Sequence, residues 1–235
     1  MAVWQLKSML EDMPSNAKYF ISGSENFRYE IYPEYKGNRK DIKRPIHLAA
    51  LREYIVSEWY TQVSSDGREA DDDVGIYSTL EPTATICHID KDLNMLPGDH
   101  WNYVTKEYYS VTPIQAMRNF YIQLLMGDRA DNIPGYDGKM RTKVPKFMEA
   151  VMAELEVCSE PEEMLDIVAG WWQEDWPKMD VSARCLWLQR KEEDDWTNWL
   201  NVNLMEELGR KDDLTALLQA RSAQQAEDGL PNFNA

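Results

Sequence analysis

The sequence has few of the residues that mark secreted or sulfur-ligated metal proteins. Its 235 residues include three cysteines and three histidines. The cysteines, Cys87, Cys158 and Cys185, are odd in number and far apart, which argues against a disulfide framework or a cysteine-based zinc site. No apolar run approaches the ~18 residues that a membrane span needs, and the N-terminus has no basic-then-apolar signal pattern. These absences predict a protein of a reducing cytoplasm with no membrane partner.

Basic residues are also scarce over the chain as a whole. Lysine and arginine total 25 against 41 aspartates and glutamates, a net charge of −16, whereas nucleic-acid-binding domains usually carry a basic face. Two basic stretches are hidden in that sum. Residues 36–52 hold six bases against one acid, a net of +5, and residues 136–146 hold four against one, a net of +3. The whole-chain charge therefore does not decide the partner.

Apolar periodicity and turn residues predict an α/β first part and an all-helical second part. Short apolar runs predict strands at 17–22 and 83–89. The predicted helices are 3–13, 45–63, 74–80, Pro113–Met126 and 143–155, followed by further helix and a frayed tail at 219–235. We expect a division into an α/β core at 1–126, with a basic segment at about 33–52, and a helical region at 127–235.

Three clusters of acids lie at the edges of predicted elements instead of along helix faces. They are Glu69, Asp71 and Asp72; Asp90 and Asp92; and Asp128 and Asp131. Two carboxylates ~4 Å apart repel by about 4 kcal/mol at an effective dielectric near 20, so convergence of the clusters requires cations or protons. Oxygen-only, anionic ligands suit Mg²⁺ or Mn²⁺, and two such ions would hold both oxygens of a phosphodiester displacement.

Each cluster by itself also fits a simpler interpretation. An acidic run such as 69–73 is favoured at a helix N-terminus by the helix dipole, and Asp90 with Asp92 indicates little alone. The three clusters in this order, with basic segments between and after them, favour a metal site.

Four blocks of sequence carry a resemblance to a known family. They are FRYE with YKGNR (27–30 and 35–39), EADD (69–72), IDKDL (89–93) and GDRADNIPG (127–135). Over about 17–155 the chain resembles the flap endonuclease superfamily, in particular bacteriophage 5′→3′ exonucleases and the related nuclease domain of bacterial DNA polymerase I. The resemblance implies a parallel-sheet 5′-nuclease (PIN-like) core, a helix–turn–helix (H3TH) and an all-helical C-terminal region. It also implies a hydrolase that cuts DNA with free 5′ ends or 5′ flaps, using two Mg²⁺ or Mn²⁺ ions.

The same resemblance implies roles for individual residues. Glu69, Asp71, Asp72 and Asp90 would serve mainly the first ion, and Asp92, Asp128 and Asp131 the second, with Asp90 near both. Lys36 and Arg39, at the base of the family's helical arch, would contact the scissile phosphate. The implied DNA-binding residues, with a K⁺ ion at the helix–turn–helix, are Lys40, Lys43, Arg44, Gly135, Gly138, Lys139, Arg141 and Lys143.

The chain departs from the family pattern near its start. The family opens with an apolar strand that ends in a metal-binding aspartate, but here the first acids, Glu11 and Asp12, end a predicted helix. The next strand ends in Ser22 and Gly23, where many relatives carry another aspartate. We therefore expect a longer reading frame or a separate chain to supply that strand. The resemblance to phage enzymes also implies phage replication proteins as partners, in the cytoplasm of a host cell. The alternative is a catalytically deficient or split DNA-binding module.

Several smaller signals favour structural roles. Cys87 and His88 should point to opposite faces of a strand, which predicts packing instead of metal binding. His47 and His100 look isolated. The tryptophans at 171–176 predict a helix face packed on the core, and the acidic run at 192–195 predicts a solvated surface.

Overall fold

The structure is a computed structural model that describes residues 13–59, 61–172 and 175–199. The predicted tail at 219–235, and the predicted helix at 3–13 apart from its last residue, lie outside these ranges. The helices are α1 (Arg28–Ile31), α2 (Leu48–Glu58), α3 (Ala70–Leu80), α4 (Pro113–Met126), α5 (Glu149–Val157), α6 (Pro161–Trp172) and α7 (Trp176–Leu186). The strands are β1 (Phe20–Ile21), β2 (Gln62–Val63), β3 (Thr85–His88), β4 (Gly98–Asn102), β5 (Glu107–Val111), β6 (Gly127–Asp128) and β7 (Ile133–Pro134).

The described strands form small separate sheets. β1 pairs in parallel with β2, and β3 pairs in parallel with β4, which pairs antiparallel with β5. The fold is therefore mixed α/β, as predicted, but the expectation of one parallel sheet is wrong for the described residues. The β4–β5 hairpin, absent from the prediction, reverses at a turn where Asn102 Oδ1 accepts the N–H groups of Val104 and Thr105 and Lys106 has φ +62°.

Helix α4 follows the sequence prediction at both ends. Thr112 and Gln115 form a capping box, Pro113 occupies the first turn, and the chain leaves the helix at Gly127. Proline and a capping box fix a helix start because the first N–H groups have no partners within the helix. Helix α2 is shorter than the predicted 45–63, because the chain turns into β2 at 62. None of its residues is buried.

The hydrophobic core is built around α4. Its buried side chains pack against α6 and α7 and are Ala116, Met117, Phe120, Tyr121, Leu124 and Leu125. Trp172 is buried in this cluster and Trp171 packs against it, as predicted for the tryptophans of that segment. Trp187 and Trp196 are buried in the same cluster. The cluster extends from Tyr35 to Trp196 and so crosses the predicted boundary at 126.

The link between α4 and α5 is longer and more structured than a short helix–turn–helix turn. β6 and β7 form an antiparallel ribbon, and a 3₁₀ turn at Lys146–Met148 precedes α5. A Cβ at Gly127 would lie 2.4 Å from the Gly135 nitrogen, and one at Gly135 would lie 2.3 Å from the Leu125 oxygen. Both positions therefore require glycine for the ribbon to fold against the end of α4.

The acidic run at 192–195 is only partly solvated. Glu192 and Glu193 are exposed, but Asp194 is buried and accepts hydrogen bonds from Trp187 Nε1 (3.0 Å) and the Arg190 N–H (2.9 Å). The prediction of a solvated surface is wrong for Asp194, because a buried indole N–H requires an acceptor. In the part of the chain that the structure describes, no helix is both long and apolar enough to cross a membrane.

Candidate active site

The acids predicted to act together lie at the ends of neighbouring elements. Glu69 caps the N-terminus of α3, and Asp90 caps the 3₁₀ turn Lys91–Met95 that directly follows β3. Asp128 lies in β6, immediately after α4, and Asp131 lies in the turn before β7. Loops and element ends thus supply the acids, while the buried helix α4 fixes the position of Asp128.

Glu69 and Asp131 are held together by Tyr35. The Tyr35 hydroxyl lies 2.7 Å from Glu69 Oε2 and 2.7 Å from Asp131 Oδ2, although the two acids are far apart in sequence. The hydroxyl has one proton to donate, so the second carboxylate oxygen must be balanced by another charge or proton. Lys36 supplies positive charge here, because its ammonium contacts Glu69 and lies 3.6 Å from Asp131 Oδ2.

Arg39 completes this side of the site. Its Nη2 lies 2.7 Å from Asp131 Oδ1, and its Nε donates to the Ala130 carbonyl at 3.0 Å. Burial alone would raise the pKa of Glu69, but Arg28 and Lys36 lower it below its ordinary value. Glu69 is therefore ionised at neutral pH, beside two predicted phosphate-binding cations.

Asp92 and Asp128 form a second pair. Lys91 Nζ lies 2.6 Å from Asp92 Oδ1 and 3.2 Å from Asp128 Oδ2. Gln123 Nε2 contacts the same two oxygens, at 3.1 and 2.8 Å. The other oxygen of Asp128 accepts the N–H groups of Ala130 (2.6 Å) and Asp131 (3.0 Å). Burial, Asp90 and Asp128 raise the pKa of Asp92 against the lowering effect of Lys91.

Asp71 is electrostatically coupled to Glu69 and Asp72 of its own cluster and to Asp90 of the next cluster. Burial, followed by the charges of Asp90, Glu69 and Asp72, raises the pKa of Asp71 to about 7 against the lowering effect of Arg28. A carboxyl with such a pKa marks a place where negative charge accumulates and a cation would be stabilised. Asp71 and Asp90 thus lie within electrostatic reach of each other, as a shared metal site requires.

Asp72 differs from the other six acids because it is fully buried and its counter-ion, Arg28, is buried with it. Its two oxygens accept from Arg28 at 2.7 and 2.8 Å. They also accept the N–H groups of Glu69 (2.9 Å) and Gln189 (3.2 Å). Burial tends to raise the pKa of Asp72, but Arg28 lowers it below the ordinary value. These contacts support a structural role for Asp72 in place of the metal-binding role predicted for it.

The donor set fits Mg²⁺ or Mn²⁺, because every candidate ligand is a carboxylate oxygen. Within the described ranges, no three His, Cys, Asp or Glu side chains are arranged as a group that could hold a metal ion. The ammonium groups of Lys36 and Lys91 lie between pairs of carboxylates instead. Mg²⁺ commonly takes one or two carboxylates plus water and phosphate oxygens, so pairs of acids suffice for it.

The residues predicted to bind DNA fall into two groups. Lys40, Lys43 and Arg44 are exposed in the segment that follows the Gly37–Arg39 3₁₀ turn. Lys139 and Lys143 are exposed beyond the β6–β7 ribbon. All five side chains are exposed to a polyanion, and Lys139 Nζ also lies 3.5 Å from Asp137 Oδ2.

Arg141, Gly135 and Gly138 are engaged within the ribbon region. Arg141 pairs with Asp137, with Nη1 2.8 Å from Oδ1, and lies over the rings of Tyr136 and Phe147. The Gly135 N–H donates to the Lys139 carbonyl, and the Gly138 N–H donates to the Gly135 carbonyl. These two amides are therefore used inside the chain, and the roles implied for them in DNA and K⁺ binding stay predictions.

The interpretation of His100 as isolated is wrong. His88 Nε2 lies 2.8 Å from His100 Nδ1, and Tyr109 Oη lies 3.1 Å from the same His88 nitrogen. Strand register explains the contact, because Ile86 pairs with His100 and His100 with Tyr109 across β3, β4 and β5. The prediction that Cys87 and His88 point to opposite faces of a strand is confirmed, because Cys87 is exposed and His88 is buried in β3.

Sequence reasoning gave no role to Tyr35, Gln123, Lys91 or Arg28, all of which contact the predicted acids. A weak signal existed for Tyr35, which directly precedes Lys36 in the resembling block. Gln123 gave none, because a glutamine on an amphipathic helix normally indicates a surface position.

Comparison with known proteins gives distant sequence similarity to DNA polymerase I and to 5′-3′ exonucleases. No family model matches the chain. It is 27% identical over 161 residues to a thermostable DNA polymerase I of Thermus aquaticus, covering 61% of this chain and 19% of the polymerase. It is 29% identical over 136 residues to a 5′-3′ exonuclease of Bacillus subtilis, covering 49% of this chain and 45% of the exonuclease.

Among solved structures, the phage T5 D15 protein crystallised with metal ions matches with a TM-score of 0.42 and 18% identity, over 78% of this chain and 90% of that one. The chain spans about a fifth of the length of the polymerase and less than half of the exonuclease. It is thus distantly similar to 5′-3′ exonucleases and to part of DNA polymerase I.

Proposed function

We propose that this chain is a metal-dependent 5′→3′ exonuclease or flap endonuclease that hydrolyses phosphodiester bonds of DNA with two Mg²⁺ or Mn²⁺ ions. One observation supports this most strongly: Glu69 and Asp131, acids from two distant segments, meet beside Lys36 and Arg39. Such a site combines negative charge for metal ions with positive charge for a phosphate. The distant similarity to a 5′-3′ exonuclease supports the same reaction class.

In this proposal the acids divide by the pairs that they form. Glu69 and Asp71 belong to the side of Lys36 and Arg39, and so does Asp131, which the resemblance had assigned to the second ion. Asp92 and Asp128 lie on the side of Lys91. Asp90 is electrostatically coupled to Asp71 and to Asp92, one from each side. When bound, the ions would supply positive charge to the phosphodiester oxygens. Asp72 is left out of the ligand set because it is fully buried and paired with a guanidinium that is itself buried and held by two backbone carbonyls.

The remaining residues bind and orient the substrate. Lys36 and Arg39 would release their carboxylate partners and hold the scissile phosphate once metal ions neutralise the acids. Tyr35 keeps Glu69 and Asp131 within hydrogen-bond distance of one hydroxyl, so their positions do not depend on the lysine. The exposed bases of 40–44 and 139–143 would hold the DNA backbone on either side through phosphate contacts.

A second candidate is a DNA-binding module without nuclease activity. It is favoured by one observation, that no group of three potential ligands in the described part of the chain is arranged as a metal site. Such a module would depend on another strand or chain to complete the site.

One experiment separates the two candidates. The purified chain is incubated with a 5′-labelled duplex and a 5′-flap substrate, with Mn²⁺ or with EDTA. Cleavage that requires Mn²⁺ and stops with EDTA supports the nuclease. DNA binding in a gel-shift assay without cleavage under any metal condition supports the module and contradicts the nuclease.

A further inference from the structure

Lys91 and Gln123 share an unusual pair of contacts. The Lys91 ammonium and the Gln123 amide nitrogen both contact Asp92 Oδ1 and Asp128 Oδ2, with four N···O distances between 2.6 and 3.2 Å. Two donors therefore bridge one pair of carboxylate oxygens from two directions. One donor carries a full charge and the other does not.

The charged donor has the properties of an exchangeable ion. The Lys91 side chain is 70% exposed, whereas Asp128 is 5% exposed and Asp92 25%. A lysine amine is ordinarily charged at neutral pH, and this one contacts both carboxylates. A lysine ammonium is a compact cation on a flexible stem, and it can leave without movement of the backbone.

The carboxylates, in contrast, are fixed. Asp128 is held by the N–H groups of Ala130 and Asp131, and Gln123 projects from α4, whose apolar face is buried in the core. Gln123 is neutral and can keep the two acids together whichever cation neutralises them. It is therefore a positioning residue for the pair.

We propose that Lys91 is an internal cation at the second metal position, where its ammonium neutralises Asp92 and Asp128 until a divalent ion displaces it. The inference rests on the proposed function, because it assumes that Asp92 and Asp128 bind a metal ion. It goes further by proposing that Lys91 sets the metal-ion concentration at which the second position is filled. The protein gives up a +1 group when it takes up a +2 ion, so binding at this position is weaker than at the same acids without the lysine.

Two consequences follow for a protein in which Lys91 is replaced by an uncharged side chain. Without the competing ammonium, the second ion should bind about five- to tenfold more tightly, as expected when a unit charge several ångströms from a divalent ion is removed in a largely aqueous setting. Without metal, the same variant should be less stable than the parent, because two neighbouring carboxylates then have only Gln123 between them. The two effects have opposite signs, which a general loss of folding cannot produce.

The test compares Lys91→Met with Lys178→Met. Lys178 is 74% exposed and pairs with an aspartate three residues away, so the control removes the same charge from a similar surface pair. Mn²⁺ binding is measured by titration with detection of free Mn²⁺ by electron paramagnetic resonance, and melting temperature is measured with EDTA and with Mn²⁺. We expect K91M, and not K178M, to bind the more weakly held of the two Mn²⁺ ions more tightly than the parent does. In EDTA the melting temperature of K91M should be lower than that of the parent, and Mn²⁺ should raise it by more.

The outcomes distinguish this inference from the proposed function. Mn²⁺ binding that is the same in the parent, K91M and K178M, together with EDTA-sensitive cleavage, overturns the role of Lys91 and leaves the nuclease intact. A parent that binds no Mn²⁺ while K91M does supports the inference directly. If neither protein binds Mn²⁺ and neither cleaves DNA, both the inference and the nuclease are wrong.

Discussion

Arg28 and Asp72 form a two-pronged ion pair inside the protein, with N···O distances of 2.7 and 2.8 Å. Arg28 is 1% exposed and Asp72 0%. The guanidinium also donates to the carbonyls of Cys185 (2.8 Å) and Trp187 (2.7 Å), which belong to the end of α7 and the segment after it. The pair thus connects the start of α3, where Glu69 lies, with the C-terminal part of the described chain.

We expect Asp72→Asn to lower the free energy of unfolding by about 3 kcal/mol or more, because it leaves a buried guanidinium without its counter-charge. Chemical denaturation monitored by circular dichroism measures the change. Asp66→Asn is the matched control, since Asp66 pairs with Arg68 at the surface and should cost less than about 1 kcal/mol. If the free energy of unfolding falls by the same small amount in both variants, the buried pair does not stabilise the fold.

The Arg28–Asp72 pair should also make the stability of the fold depend on pH. The pKa of Asp72 is lowered in the folded protein, so its contribution is complete above the unfolded value of about 3.9 and is lost as the pH falls through the lower folded value. We therefore expect the difference in melting temperature between the parent and Asp72→Asn to be largest near pH 7 and to shrink below about pH 4. A difference that grows toward low pH would contradict this assignment.

Replacing proposed metal ligands should abolish cleavage and leave DNA binding in place. We expect Asp90→Ala and Asp128→Ala to reduce turnover by more than about a hundredfold, because even the loss of a residue that supports a ligand costs 10- to 100-fold. Glu156→Ala, an exposed acid on α5, is the control and should be neutral. Turnover is measured on a 5′-labelled flap and affinity by fluorescence anisotropy in Ca²⁺. Unchanged turnover in either ligand variant would refute the site.

Lys36 and Lys40 should separate catalysis from binding. Lys36 lies among the acids, so Lys36→Ala should lower kcat by about 10²- to 10³-fold and change the DNA Kd by less than about tenfold. Lys40 is exposed, so Lys40→Ala should weaken DNA binding and reduce its salt dependence by about one phosphate contact. Titrations at several salt concentrations, together with single-turnover rates, measure both effects. Equal effects of the two substitutions on kcat would contradict the assignment.

Gln123 should matter for metal binding although it is not an acid. We expect Gln123→Leu to weaken binding of the second Mn²⁺ by about 10- to 100-fold, because the amide no longer holds Asp92 and Asp128 together. Gln62→Leu in β2, where the side chain is exposed, serves as the control. Mn²⁺ titrations of both variants check the prediction, and equal affinities would show that the amide contacts have no role.

Local sequence signals predicted the parts of the fold that local chemistry determines. Thr112, Pro113 and Gln115 fix the start of α4 through contacts within four residues. Asp90 follows β3 because an apolar run ends there. The resemblance predicted one site for the acids, but it did not predict that Asp72 is paired with Arg28 in the interior. Successive residues on a helix point about 100° apart, so Asp71 and Asp72 have different surroundings although they are neighbours in sequence.

Contacts between distant segments were beyond local signals. Tyr35 meets Asp131 across 96 residues, and Arg28 meets Trp187 across 159. The β4–β5 hairpin is local, but it was missed because neither strand alternates buried and exposed residues. The partner of His100 was missed because it lies across the β3–β4 pairing. Such contacts depend on tertiary packing, which a periodicity of two or 3.6 residues does not encode.

The anchoring of Arg28 to carbonyls beyond residue 184 also determines which fragments can fold. A protein cut after residue 126 would keep the guanidinium and lose both carbonyl acceptors, and the apolar face of α4 would be left without α6 and α7. Such a fragment would also lack Asp128 and Asp131, so we expect it neither to fold stably nor to contain the complete candidate site. Deletions intended to isolate the acids must therefore retain the chain through at least Gln189, whose N–H group completes the shell around Asp72.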